Sequence, residues 1–184
     1  MDDIELLSGV LDKTADIVSG VDDSQLAQST PCPDYDVRTL GGHLVGWAQV
    51  FAEAAAGETP STDPRAYAWS EASAADFRAA ADKMAAGWRS GGTDRTVTLS
   101  GGQLPAAMAL NMTLMEFLTH GWDLAVATGQ EPGYTEAEAE ETLARAQATL
   151  QPEYRGDAFG PPVAVADDAV ALDRFVGFMG RTPA

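Results

Sequence analysis

The chain has 184 residues, 45% of them apolar, and a formal net charge of −17 from 28 acidic against 11 basic side chains. That length suits one domain with a substantial core, and no apolar run approaches the ~20 residues that span a bilayer. The acidity argues against nucleic acid or an anionic membrane as partner, because phosphate would be repelled. The acidic opening MDDIELLSG is unlike a secretory signal, so a cytoplasmic protein is expected.

The first helix is predicted over Asp3 to Val18, where Ile4, Leu7, Leu11 and Thr14 recur at helical spacing and Gly20 can end it. TPCPDYD follows as a rigid connector. Its Cys32 is the single cysteine of the chain, which excludes an intrachain disulfide framework and a cysteine-rich zinc module. Between two prolines it reads as a small turn residue, with no Lys or His beside it in sequence to make a reactive thiol. Asp36 is a good N-cap for VRTLGGHLVGWAQVFAEAAAG, a second helix closing at Gly57, with Leu40, His43 or Leu44, Trp47 and Phe51 on one stripe.

ETPSTDPRAYAW reads as a loop. A third helix is predicted from Glu71 to Trp88, with Phe77, Met84 and Trp88 inward. RTVTLSGGQLP reads as a small hairpin. Pro105 is placed at the first position of the longest helical run, PAAMALNMTLMEFLTHGWDLAVATG, closed by Gly129. YTEAEAEETLARAQATL is a further helix with acids in its first turn. FGPPVAVADDA is extended, and DAVALDRFVGFMG is a short helix able to pack on the rest. No internal repeat or linker interrupts the chain, so residues 1–184 are expected to form one mostly all-α domain. Four long amphipathic helices with a β-hairpin before the fourth, and additional C-terminal helices, describe a four-helix bundle.

Such bundles place metal sites in the core, on facing helices. The fourth helix contains MEFLTHGWDL, where Glu116 precedes His120 by four residues. Four residues advance about 400°, leaving the two side chains about 40° apart and one turn along. Asp123 stands near the same face. The other histidine, His43, lies mid-way along the second helix. If helices two and four face each other, His43, Glu116 and His120 form a two-nitrogen, one-carboxylate set, as catalytic zinc uses with a further position open. Imidazoles also suit nickel or iron. The spacing by itself equally fits a polar pair that supports any exposed helix, and HExxH, the more specific zinc signal, is absent.

STPCPDYDVRTLGGHLVGWAQVFAEAAAG resembles the opening motif of the DinB/YfiT-like superfamily, in the branch related to the N-terminal domain of mycothiol-dependent maleylpyruvate isomerase. LMEFLTHGWDLAVATGQ resembles its second motif, in which Glu-x-x-x-His precedes Gly-Trp-Asp-Leu. FGPPVAVADDAVALDRFVGFMGR is similar to the C-terminus of a shorter, single-domain actinobacterial group described as metal-binding. The resemblance implies a four-helix bundle with a divalent metal on His43, Glu116 and His120. The two-domain isomerase has an additional C-terminal domain that supplies an arginine to its active site. This chain is expected to end before any such domain, so metal binding transfers and maleylpyruvate isomerisation does not.

The superfamily also includes thiol S-transferases that use mycothiol or bacillithiol, so the resemblance makes a small-molecule thiol and an electrophile the expected substrates. In an enzyme the metal would hold the thiol as thiolate for attack on the electrophile. Asp123 would orient His120 or take part in proton transfer, or else be a solvated helix carboxylate. Trp47 and Trp122 would wall a pocket or serve the core. Metal-assisted hydrolysis is a second enzymatic version. A non-catalytic metal-binding module and a plain interaction bundle are the alternatives, and a homodimer is the assembly that an exposed apolar face would produce.

Overall fold

The computed structural model describes residues 2–33, 35–99, 101–152, 155 and 159–183. Along these residues run α1 (Asp3–Ser19), α2 (Val37–Ala55), α3 (Ser73–Gly91), β1 (Thr96–Leu99), β2 (Gly102–Pro105), α4 (Ala106–Thr128), α5 (Glu136–Thr149) and α6 (Ala171–Phe178). Short 3-10 turns at Asp23–Gln25 and Pro64–Ala66 punctuate the loops.

The helix starts are built by local side chains. Asp2 accepts the amides of Ile4 and Glu5 in a capping box. Asp36 accepts the Thr39 amide at 2.8 Å, which starts α2 where the sequence predicts. Thr135 and Glu138 form a second capping box on α5. Several boundaries differ from expectation, among them the end of α3, which runs past Trp88 to Gly91. α2 ends at Ala55 rather than Gly57, which at φ +80° turns the chain away. α3 begins at Ser73 because a turn ties the Ser73 amide to the Ser70 carbonyl at 3.0 Å. Pro105 does not open α4. It pairs with Thr96 as the last residue of β2, and that extended pairing delays the helix to Ala106.

Around the bundle the packed neighbours run α1, α3, α2, α4 and back to α1. α2 and α4 are therefore adjacent, as the site requires. α4 also packs against α5, which is why its sequence is apolar on nearly every side. The core joins Leu6, Leu11, Leu44, Phe77, Trp88 and Leu114. Phe117 sits centrally, its ring centroid 5.5 Å from Phe77 and 5.9 Å from Phe51. α2 and α3 approach closely at Gly87, where a Cβ would stand 2.6 Å from the Ala55 backbone. No described helix is long and apolar enough to cross a membrane.

α6 packs on α5 and closes in a Schellman-type turn: the Gly180 amide reaches the Gly177 carbonyl at 3.0 Å and the Arg181 amide reaches Val176 at 2.9 Å. Gly180 holds φ +85°, the left-handed region in which a side chain is strained. The turn throws the Arg181 side chain back toward α4.

Candidate metal centre

His43 enters from the middle of α2, and Glu116 and His120 from successive turns of α4. His43 Nε2 lies 2.7 Å from Glu116 Oε1, and His120 Nε2 lies 3.9 Å from the same oxygen. One donor atom from each of the three falls within 4.8 Å of the other two. Donors ~2.0–2.2 Å from a shared zinc ion stand a few ångströms apart, so the three could hold one ion. Their side chains are 18%, 21% and 13% exposed, which leaves one side open.

What surrounds the imidazoles supports that use. His120 Nδ1 is 2.9 Å from Asp123 Oδ2, and His43 Nδ1 is 3.3 Å from the Tyr35 hydroxyl. A partner on Nδ1 orients the ring and leaves Nε2 for the centre, the arrangement found around metal-bound histidines. Asp123 is fully buried. Arg181 holds it by two bonds, Nε to Oδ1 at 3.2 Å and Nη2 to Oδ2 at 2.8 Å, the paired geometry that suits guanidinium to carboxylate.

The electrostatics agree. Burial raises the pKa of the Glu116 carboxyl, but the charge of His120, the hydrogen bond and charge of His43 and the charge of Arg181 together hold it below the ordinary value. For Arg181 burial works against the charge. The hydrogen bonds and charge of Asp123, with Cys32 and Glu116 behind them, outweigh it and raise the guanidinium above its usual range.

The structure thus brings His43, Glu116, His120 and Asp123 together. Of the two tryptophans considered for a pocket wall, Trp47 lines a cavity beside the cluster, whereas Trp122 is buried in the core. Three neighbours were not legible in sequence. Tyr35 is carried over His43 by the connector before α2, where Thr30 Oγ1 bonds the carbonyls of Cys32 at 2.9 Å and Tyr35 at 2.8 Å. Cys32 keeps its turn role but also comes within 4.8 Å of donor atoms on His120 and Asp123. That second trio suits an ion less well, because both Asp123 oxygens are engaged by Arg181 and one also by His120. Arg181 arrives from the far end of the chain, and no local motif signals it.

Two facing helices of a four-helix bundle that aim two imidazole nitrogens and one carboxylate at a single point define the class of this protein. The chain belongs to the family of the mycothiol maleylpyruvate isomerase N-terminal domain, whose sequence model matches residues 7–125. It is also similar to uncharacterized proteins of Mycobacterium tuberculosis strains CDC 1551 / Oshkosh and ATCC 25618 / H37Rv, each 32% identical over 177 residues that cover 93% of both chains. No solved structure matches the chain significantly.

Proposed function

We propose that the protein binds a divalent metal, zinc first among the candidates and nickel or iron next, through His43, Glu116 and His120. We propose further that it uses this centre for chemistry on a low-molecular-weight thiol such as mycothiol, as a transferase or isomerase. The supporting observation is the convergence of His43 Nε2, Glu116 Oε1 and His120 Nε2 beside a cavity, with both Nδ1 atoms already engaged. Three protein donors rather than four leave a coordination position for a reactant.

When bound, the ion would lower the pKa of a thiol and keep its sulfur as a thiolate at neutral pH. The chain's residues would do the rest. Glu116 supplies the anionic donor, kept ionised by its neighbours. Asp123 would orient the His120 ring through its contact with Nδ1 and leave Nε2 toward the ion. Arg181 holds Asp123 in place through two bonds. Trp47, Phe51 and Met115 exclude water from the approach to the sulfur.

Metal analysis of the purified protein tests the first half. His43→Ala combined with His120→Ala is expected to abolish retention of the ion, and equal metal content in variant and wild type would remove these residues from the site. For the second half, thiol-dependent turnover of model electrophiles is expected to require the metal and to be lost in Glu116→Ala. A metal-loaded protein inert toward a mycothiol panel would leave a non-catalytic metal-binding module, and turnover with water alone would indicate a hydrolase.

A further inference from the structure

We infer that the cavity beside His120 and Glu116 is a binding site for an uncharged, largely apolar small molecule, anchored by one polar group on the Thr119 hydroxyl. The cavity measures about 410 Å³, within the ~300–1,000 Å³ of small-molecule sites. Trp47 and Phe51 from α2, Met112 and Met115 from α4, and Phe159 and Met179 from the C-terminal segment form its apolar walls. Methionine is unbranched and polarizable, and so adapts to ligands of irregular shape.

Thr119 is the observation that points to a ligand. It lines this cavity and is only 3% exposed, yet its Oγ1 has no hydrogen-bond partner among the described residues. Other buried threonines of the same helix satisfy themselves on the preceding turn: Thr113 donates to the Ala109 carbonyl at 2.8 Å and Thr128 to Leu124 at 2.7 Å. A buried hydroxyl that forgoes this bond on a cavity wall is available to an occupant. At the same face of α4, Met108 and Met112 are 43% and 38% exposed. Large apolar side chains left at a cavity mouth are the surface an apolar ligand would cover.

Charge decides that the ligand is neutral. Arg181 is the one fixed cation among the described lining residues, and its guanidinium is spent on Asp123 through Nε and Nη2 and on the Met179 carbonyl through Nη1. An anionic ligand would find no unpaired side-chain cation on this wall, and a charged group of either sign would lose its hydration against the apolar side chains. Under the function proposed above, this molecule is the electrophile presented to the thiol sulfur; its binding does not require that reading.

The test uses the uncharged dye N-phenyl-1-naphthylamine, whose fluorescence rises in apolar surroundings. The full-length protein is expected to bind it saturably, one per chain. Met112→Glu is expected to weaken binding about tenfold or more at unchanged melting temperature, because it sets a charge on the apolar wall. Met108→Glu serves if the first variant folds poorly. Decanol is expected to displace the dye while decanoate does not, and Thr119→Val to lower the competing power of decanol severalfold. Absence of saturable binding, equal binding by the glutamate variants, or displacement by decanoate as good as by decanol would overturn the inference. An unaltered decanol value in Thr119→Val would overturn the anchoring role. His43→Ala, a residue outside the cavity lining, separates the two proposals: metal lost with dye binding kept leaves this site standing, and dye binding lost with metal kept removes it.

Discussion

Asp123 carries the electrostatics of the site on one fully buried carboxylate, shared between His120 and Arg181. Taking away one partner of a buried pair leaves a desolvated charge behind. Arg181→Ala is therefore expected to destabilise the protein by about 3–5 kcal/mol, read as a shift of the urea midpoint, and lysine cannot restore the paired bonds. Asp123→Asn keeps the shape but weakens the hold on His120 Nδ1, so divalent-metal affinity is expected to fall about 10–100-fold in a competition titration with a chromophoric chelator. An unchanged affinity would disconnect Asp123 from the centre. The pairing of Glu116 with His120 and the nearness of Asp123 were legible from helical spacing alone, since residues three and four apart share a face. The Arg181 contact was not, because 58 residues separate it from Asp123.

At the scale of elements, α1 and α5 are joined by ion pairs of Arg145 with Asp3 and of Lys13 with Glu138, and the second carries a pH signature. Lys13 Nζ sits 2.8 Å from Glu138 Oε1, and the Thr135 amide donates to Glu138 Oε2 at 2.7 Å. Gly9 makes room, as any Cβ there would collide with the Glu138 carboxylate. Burial raises the Glu138 carboxyl, but the bonds from Lys13 and Thr135 outweigh it, and its pKa falls below the ordinary 4.5. A carboxylate with a depressed folded pKa contributes stability that is fully present above 4.5 and is lost as the pH falls through the lower folded value. Glu138→Gln is accordingly expected to cost about 1–3 kcal/mol near neutral pH, with the gap to wild type closing in urea titrations as the pH drops below 4.5. A gap that stays constant in acid would show that packing, not charge, is lost. The helices themselves were readable from apolar period and caps. Their ends moved where a neighbour intervened, as when the Thr96 pairing held Pro105 extended.

For the whole molecule, the core of Leu6, Leu44, Phe77, Trp88 and Phe117 is continuous without any contribution from the candidate ligands. An ion at His43, Glu116 and His120 is thus expected to stabilise the fold by linkage and not to create it. Chelation should leave the helical circular dichroism intact and lower the melting temperature by about 5–10 °C for an ion held at ~100 times its dissociation constant. Collapse of the helical signal on chelation would make the ion a structural staple of α2 and α4.

The mostly helical class, the helix starts at Asp3 and Val37, the hairpin before the longest helix and the pairing of Glu116 with His120 on one helical face were all within reach of the sequence. Periodicity, capping chemistry and i, i+4 spacing act within one element and leave their trace in consecutive residues. The packing of α2 against α4, the return of the C-terminal turn that seats Arg181 on Asp123, the approach of Cys32 to His120 and the cavity that Thr119 lines were decided only in three dimensions. Each depends on long-range contacts whose partners are set by how helices pack, and packing leaves no period in the chain.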